Sequence, residues 1–150
     1  QRLSWKLIST DTLIEKHHQM EIKDIVARYG WQEFRKMEHS VIKTISSRMN
    51  SIVDCGGGVT ENPENLNLLQ PNSLIVWIDA DIEEIRKRLK RSGELRPLLS
   101  EAEFDLDISN NYQRRRPIYQ SYAQLEVNSS KLSPAEICDR ILNELKQSGS

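Results

Sequence analysis

The sequence has only two cysteines, Cys55 and Cys138, and neither sits in a metal-ligand spacing. That is too few for a disulfide framework and excludes the stapled secreted scaffolds. No apolar run approaches the roughly 20 residues that a membrane-spanning helix needs. Gln1 to Thr10 carry no apolar stretch of signal-peptide type. Neither sign of charge is in excess, the formal net charge being −1. Whole-chain electrostatics therefore gives no reason to expect nucleic acid or a membrane as partner. No internal repeat stands out. Together these absences point to a soluble, reducing, cytoplasmic setting and name no function.

What is present is enough for a core. The chain has 150 residues, 37% of them hydrophobic and 29% charged, which fits one domain over 1–150. Leu7-Ile8, Ile52-Val53, Leu74 to Ile78 and Leu125 to Val127 read as strands, the third as a continuously apolar, buried one. Ile22, Ile25 and Val26 have helical spacing up to a stop at Gly30. Trp31, Phe34, Val41, Ile42 and Ile45 mark one face of a longer helix beyond it. Asp81 with Glu84, and Ser133-Pro134 with Glu136, read as capping boxes that open two further helices. The acidic stretch Ser100 to Asp107 reads as irregular, within a flexible lid at about 98–108, and 147–150 as a tail. Strands separated by helices predict an α/β fold: a three-layer arrangement with a parallel sheet flanked by helices.

Ligands of such sheets bind beyond the carboxyl ends of the strands. Asp11, the glycine run Gly56-Gly57-Gly58 and Asp79 fall at those ends. Three glycines let a backbone approach a ligand closely and equally suit a plain turn. Asp11 has the chemistry of a general base or of a helix N-cap. Arg35 offers a fork for carboxylate or phosphate, or an i,i+3 pair with Glu38 on a solvated face. Arg114-Arg115-Arg116 is the densest basic run. His17, His18 and His39 lack ligand spacing and read as surface residues.

The order of these elements is more specific than any one of them. Thr10-Asp11-Thr12, Phe34-Arg35 with Glu38, Gly56-Gly57-Gly58, Arg96-Pro97-Leu98-Leu99 and Arg115-Arg116-Pro117-Ile118-Tyr119 follow one another along nearly the whole chain. This succession resembles shikimate kinase, a family of the P-loop kinase fold. The resemblance implies transfer of the γ-phosphoryl group of ATP, with Mg²⁺, to the 3-hydroxyl of shikimate in the route to chorismate and aromatic amino acids. It implies that Asp11 holds shikimate hydroxyls and acts as base. It implies that Arg35 and Arg115 bind the carboxylate, that Gly57 and Gly58 approach the ring, and that Phe34, Pro97 and Leu98 line its apolar wall. Arg96 would stabilise the transferring phosphoryl group and Arg91 would lie near the adenine.

Three departures qualify the resemblance. No G-x-x-x-x-G-K-[ST] loop occurs in the sequence. The family places that loop, within a strand–loop–helix unit of about thirty residues, ahead of the Asp11 motif. The expectation is that this first unit is missing, that another segment or a second chain completes the sheet, and that phosphoryl transfer by this chain alone is weak or absent. Ser9 stands where the family usually has the aspartate that supports magnesium, and Trp31 where it usually has Glu. Two alternatives stay open: a non-catalytic shikimate-binding module derived from the kinase, or a kinase for another small hydroxy acid.

Overall fold

The computed structural model describes residues 3–92 and 101–148. The chain forms two compact units, Gln1–Ser73 and Leu74–Ser150.

In the first unit, strand β1 (Lys6–Ser9) leads into α1 (Thr10–His18) and α2 (Ile22–Ile45). Strand β2 (Ser51–Asp54), a 3₁₀ turn (Gly57–Glu61), α3 (Pro63–Leu69) and a second 3₁₀ turn (Gln70–Asn72) follow. β1 and β2 pair in parallel, with Lys6 opposite Ser51 and Ser9 opposite Asp54. Strand alternation sends Ile8 and Val53 to the core side and leaves Leu7 and Ile52 exposed. Ile14, Ile25, Phe34, Val41 and Ile45 close over Ile8 from the helices.

Local chemistry sets the helix ends. α1 is capped by Ser9, whose hydroxyl accepts from the Thr12 N–H at 3.3 Å. Asp11, weighed as that cap, lies inside the first turn instead. Gln19 ends α1 in the left-handed region at φ 51°, and its N–H donates to the Glu15 carbonyl. Asn62 caps α3, with Pro63 in its first turn. Gly30 interrupts α2 at φ 81°, ψ 165°. The predicted stop is real, and the chain resumes helix directly after it.

In the second unit, β3 (Val76–Asp79), α4 (Ile82–Ser92), α5 (Glu101–Tyr122), β4 (Leu125–Asn128) and α6 (Pro134–Ser148) follow in order. β3 and β4 pair in parallel, Asp79 lying opposite Asn128. Among the described residues the strands thus form two parallel pairs, as the α/β expectation requires. The third strand is shorter than predicted and not buried throughout. Leu74 and Ile75 precede it, and Ile78 is 58% exposed while Trp77 is buried.

Two expectations of irregular chain are corrected. The acidic stretch is helical from Glu101, because Phe104 and Ile108 lie one turn apart and are both buried. Acidic groups in a first turn also suit the helix dipole. The lid segment before Glu101 lies outside the described residues. The tail is helical through Ser148.

Of the two capping boxes, Ser133–Glu136 forms. The Ser133 N–H donates to Glu136 at 2.7 Å and the Glu136 N–H to Ser133 Oγ at 3.3 Å. The Asp81–Glu84 box gives way to one tertiary partner and one partner on the same helix. Asn128 Nδ2 donates to Asp81 at 3.0 Å, and Glu84 takes Arg88 at 2.9 Å.

Two outcomes follow for stability. A Cβ at Gly30 would meet nothing within 4 Å, yet φ is +81°. Gly30→Ala is therefore expected to destabilise by about 1–3 kcal/mol through backbone strain alone. A thermal melt checks this, at about 2–4 °C per kcal/mol for a chain of this size. The Glu136 carboxyl is held below its ordinary 4.5 by the Ser133 hydroxyl and then the Ser133 N–H. A lowered folded pKa gives stability that is full above pH 4.5 and lost as pH falls through the lowered value. Melts of the wild type and Glu136→Ala should differ at pH 7 and converge in acid.

Candidate active site

Parallel pairing in register brings the carboxyl ends of β1 and β2 side by side. Asp11, just past β1, then meets the glycine run that follows β2. A Cβ at Gly56 would lie 3.2 and 3.3 Å from the Asp11 carboxylate oxygens. Thr10, fully buried, ties the two strand ends together by donating its hydroxyl to the Asp54 carbonyl at 3.4 Å.

Arg35 lies against the same glycine run. A Cβ at Gly58 would fall 2.2 Å from Nη1 and 2.3 Å from Cζ and Nη2. The guanidinium fills the space a side chain would take, and only glycine permits this approach. Nη1 donates to Glu38 at 2.9 Å. The Glu38 side chain is 1% exposed and that of Arg35 is 23% exposed. This is the i,i+3 pair foreseen in the sequence, but it is not a solvated one. A carboxylate so buried is strongly destabilising if its partner is removed. Two rings flank the arginine. Cζ lies 5.3 Å from the Trp31 ring centroid and 5.1 Å from that of Phe34, and the two rings meet edge to face at 5.7 Å.

The surroundings fix the glycine turn. Asn65, fully buried on α3, donates Nδ2 to the Val59 carbonyl at 3.1 Å. Its Oδ1 lies 2.8 Å from His39 Nδ1, on α2, so that nitrogen carries the proton. Cys55, at the start of the turn, has its thiol pushed up to about 12, by burial first and then by the charges of Glu38, Asp54 and Asp11. It stays a neutral thiol and is no nucleophile at neutral pH.

The second unit has its own polar cluster. A cavity of about 510 Å³ is lined by Asp79, Phe104, Asn111, Tyr112, Arg115 and Arg116, among others. The Tyr112 hydroxyl donates to Asp79 at 3.2 Å. The Tyr112 phenol is raised by burial and then by the Asp79 charge, so it stays a donor. Ser129 donates both its N–H and its hydroxyl to the Asp79 carbonyl, at 2.7 and 3.0 Å.

The predicted residues therefore divide. Asp11, Phe34, Arg35 and Gly58 come together in the first unit, with Phe34 in the core rather than on an open wall. Gly57 is exposed between its neighbours. Arg115 lines the cavity of the second unit, and Arg91 is exposed in the last turn of α4. Arg96, Pro97 and Leu98 lie outside the described residues. Gly56 was missed within a run that was itself flagged. Glu38 was read as a surface partner and as part of the Phe34-Arg35 motif, and its burial had no local signal.

No three His, Cys, Asp or Glu side chains gather to hold a metal ion among the described residues. Mg²⁺ needs six oxygen ligands. Near Asp11 the Ser9 hydroxyl serves as a helix cap, so these side chains alone do not fit a resident magnesium.

Comparison with known proteins bears directly on this arrangement. The family model for shikimate kinase matches residues 1–146. A shikimate kinase of Sulfurihydrogenibium sp. (strain YO3AOP1) is 32% identical over 147 residues, spanning 98% of this chain and 86% of its own. One of Dehalococcoides mccartyi (strain ATCC BAA-2100 / JCM 16839 / KCTC 5957 / BAV1) is 33% identical, spanning 98% and 82%. The crystal structure of shikimate kinase from Aquifex aeolicus vf5 superposes with a TM-score of 0.79 at 30% identity, covering 97% of this chain and 83% of that one. Shikimate kinase from Acinetobacter baumannii, solved in complex with shikimate, gives a TM-score of 0.86 at 20% identity, covering 96% and 80%. These matches lend no support to the expected missing unit or completing second chain. They establish the fold as that of the P-loop kinases, and the chain belongs to the shikimate kinase family of phosphotransferases.

Proposed function

We propose that the protein phosphorylates the 3-hydroxyl of shikimate with ATP as donor. The observation that carries this reading is the Arg35 fork seated on Gly58 and anchored by Glu38, close to the glycine run that also meets Asp11. A fixed guanidinium suits a planar carboxylate, which it grips with two parallel hydrogen bonds. A carboxylate such as Asp11 suits ring hydroxyls. In the reaction the substrate oxygen bonds to the γ-phosphorus, the bond to the ADP oxygen breaks, and Asp11 receives the hydroxyl proton. Arg115 for the carboxylate, Arg91 for the adenine, Arg96 for the moving phosphoryl group, and Gly57, Pro97 and Leu98 around the ring rest on motif order alone. Mg²⁺ would arrive with the nucleotide phosphates, its usual mode of binding in phosphoryl transfer.

A second reading is favoured by one observation. Ser9, whose hydroxyl caps α1, stands where a carboxylate would support magnesium, and each 1.36 kcal/mol of lost transition-state stabilisation is about tenfold in rate. The alternative is a shikimate-binding module that transfers no phosphate.

Calorimetry and a coupled ADP assay on the 150 residues separate the readings. Shikimate binding with turnover supports the kinase, and binding without ATP affinity supports the module. No shikimate binding sinks both. Arg35→Lys keeps the charge but loses the fork, and is expected to weaken shikimate binding by about tenfold or more. Gly58→Ala drives a methyl into the guanidinium and is expected to cost at least as much, with the melt lowered too because the pair with buried Glu38 is disturbed. Normal shikimate affinity in Gly58→Ala would show that Arg35 does not read the carboxylate from this position.

A further inference from the structure

We propose that Trp31 is a positioning residue for carboxylate recognition: with Phe34 it clamps the Arg35 guanidinium in its binding-ready orientation. This rests on the reading of Arg35 as the carboxylate receptor.

The placement is specific. Trp31 and Arg35 are four residues apart on the helical stretch after Gly30, so their side chains share a face. Trp31 leaves 48% of its surface exposed, and core packing alone does not account for it. Its ring sits 5.3 Å from Cζ of Arg35 and edge-on to Phe34. Glu38 fixes Nη1 of the guanidinium, and the bare Gly58 gives it a seat. The rings restrict the remaining swing of a long, flexible side chain. Ordering that side chain before the substrate arrives removes a cost from binding.

The chemistry of the residue type supports the same role. A carboxylate at position 31 would be an acceptor one turn from Arg35 and would compete with the substrate for its in-plane N–H groups. An indole attracts the cation through its π face and offers no competing anionic acceptor. It also displaces water beside the guanidinium, which strengthens an ion pair formed there.

The test is calorimetric titration of shikimate into the wild type, Trp31→Leu, Trp31→Phe, Arg35→Lys and the Trp31→Leu/Arg35→Lys double variant, with thermal melts as a control of folding. Trp31→Leu is expected to weaken shikimate binding by about three- to tenfold, with Trp31→Phe recovering most of the loss. In the Arg35→Lys background the same Leu substitution is expected to cost less than about twofold, because its effect runs through the fork. Equal affinity of Trp31→Leu and wild type overturns the inference. So does a loss that persists in full beside Arg35→Lys, which would make Trp31 a direct or purely structural contributor. A wild type that does not bind shikimate fails the carboxylate reading itself, a result distinct from either.

Discussion

A carboxylate withdrawn from water is the constraint around which the first unit is arranged. Glu38 has almost no exposed surface, so a cation must stay beside it or the fold loses stability. Arg35 meets that demand, and in doing so its guanidinium is pressed onto Gly58. The glycine turn must then hold its course, and Asn65 secures it through the Val59 carbonyl and His39. Structural need and recognition converge on one side chain. The ion pair that keeps the core tolerable also places a rigid fork at the surface.

The second unit meets a comparable problem at Asp79 with hydroxyl and amide donors. Asp79 closes β3 and is nearly buried. Its carboxylate is met by the Tyr112 hydroxyl and its carbonyl by Ser129. Arg88 reaches the Ser129 hydroxyl and carbonyl while paired to Glu84. These bonds join α4 and α5 to the ends of β3 and β4. Arg115 projects into a cavity whose walls are therefore held from several elements.

Much of this could be read from the sequence where its causes are local. The break at Gly30, the Ser133–Glu136 box and all four strands follow from patterns a few residues wide. The motif order located Asp11, Arg35 and Gly58 without any coordinates. What escaped was set at long range. Asp81 and Glu84 spelled a capping box, but distant Asn128 took the Asp81 carboxylate and left Glu84 to its neighbour Arg88. Glu38 looked like half of a solvated pair, because nothing within a turn of it announces that Gly58 will press its partner inward. The acidic stretch before Ile108 looked irregular because charge was weighed above the spacing of Phe104 and Ile108. Ser9, read as a departure in metal support, has a plain local duty as the cap of α1.

Gly58, Arg35 and Glu38 are also interlocked in a way that bears on how such a chain can change. Any side chain at 58 collides with the guanidinium. Loss of the guanidinium strands the buried carboxylate. Loss of the carboxylate frees the arginine to leave its seat. No one of the three can be exchanged without harm while the other two remain, so a receptor for a different anion could not be reached through this triplet by single, individually tolerated steps. Variation in ligand preference would have to enter around it, at positions such as 31 that touch the arginine and lie outside the triplet.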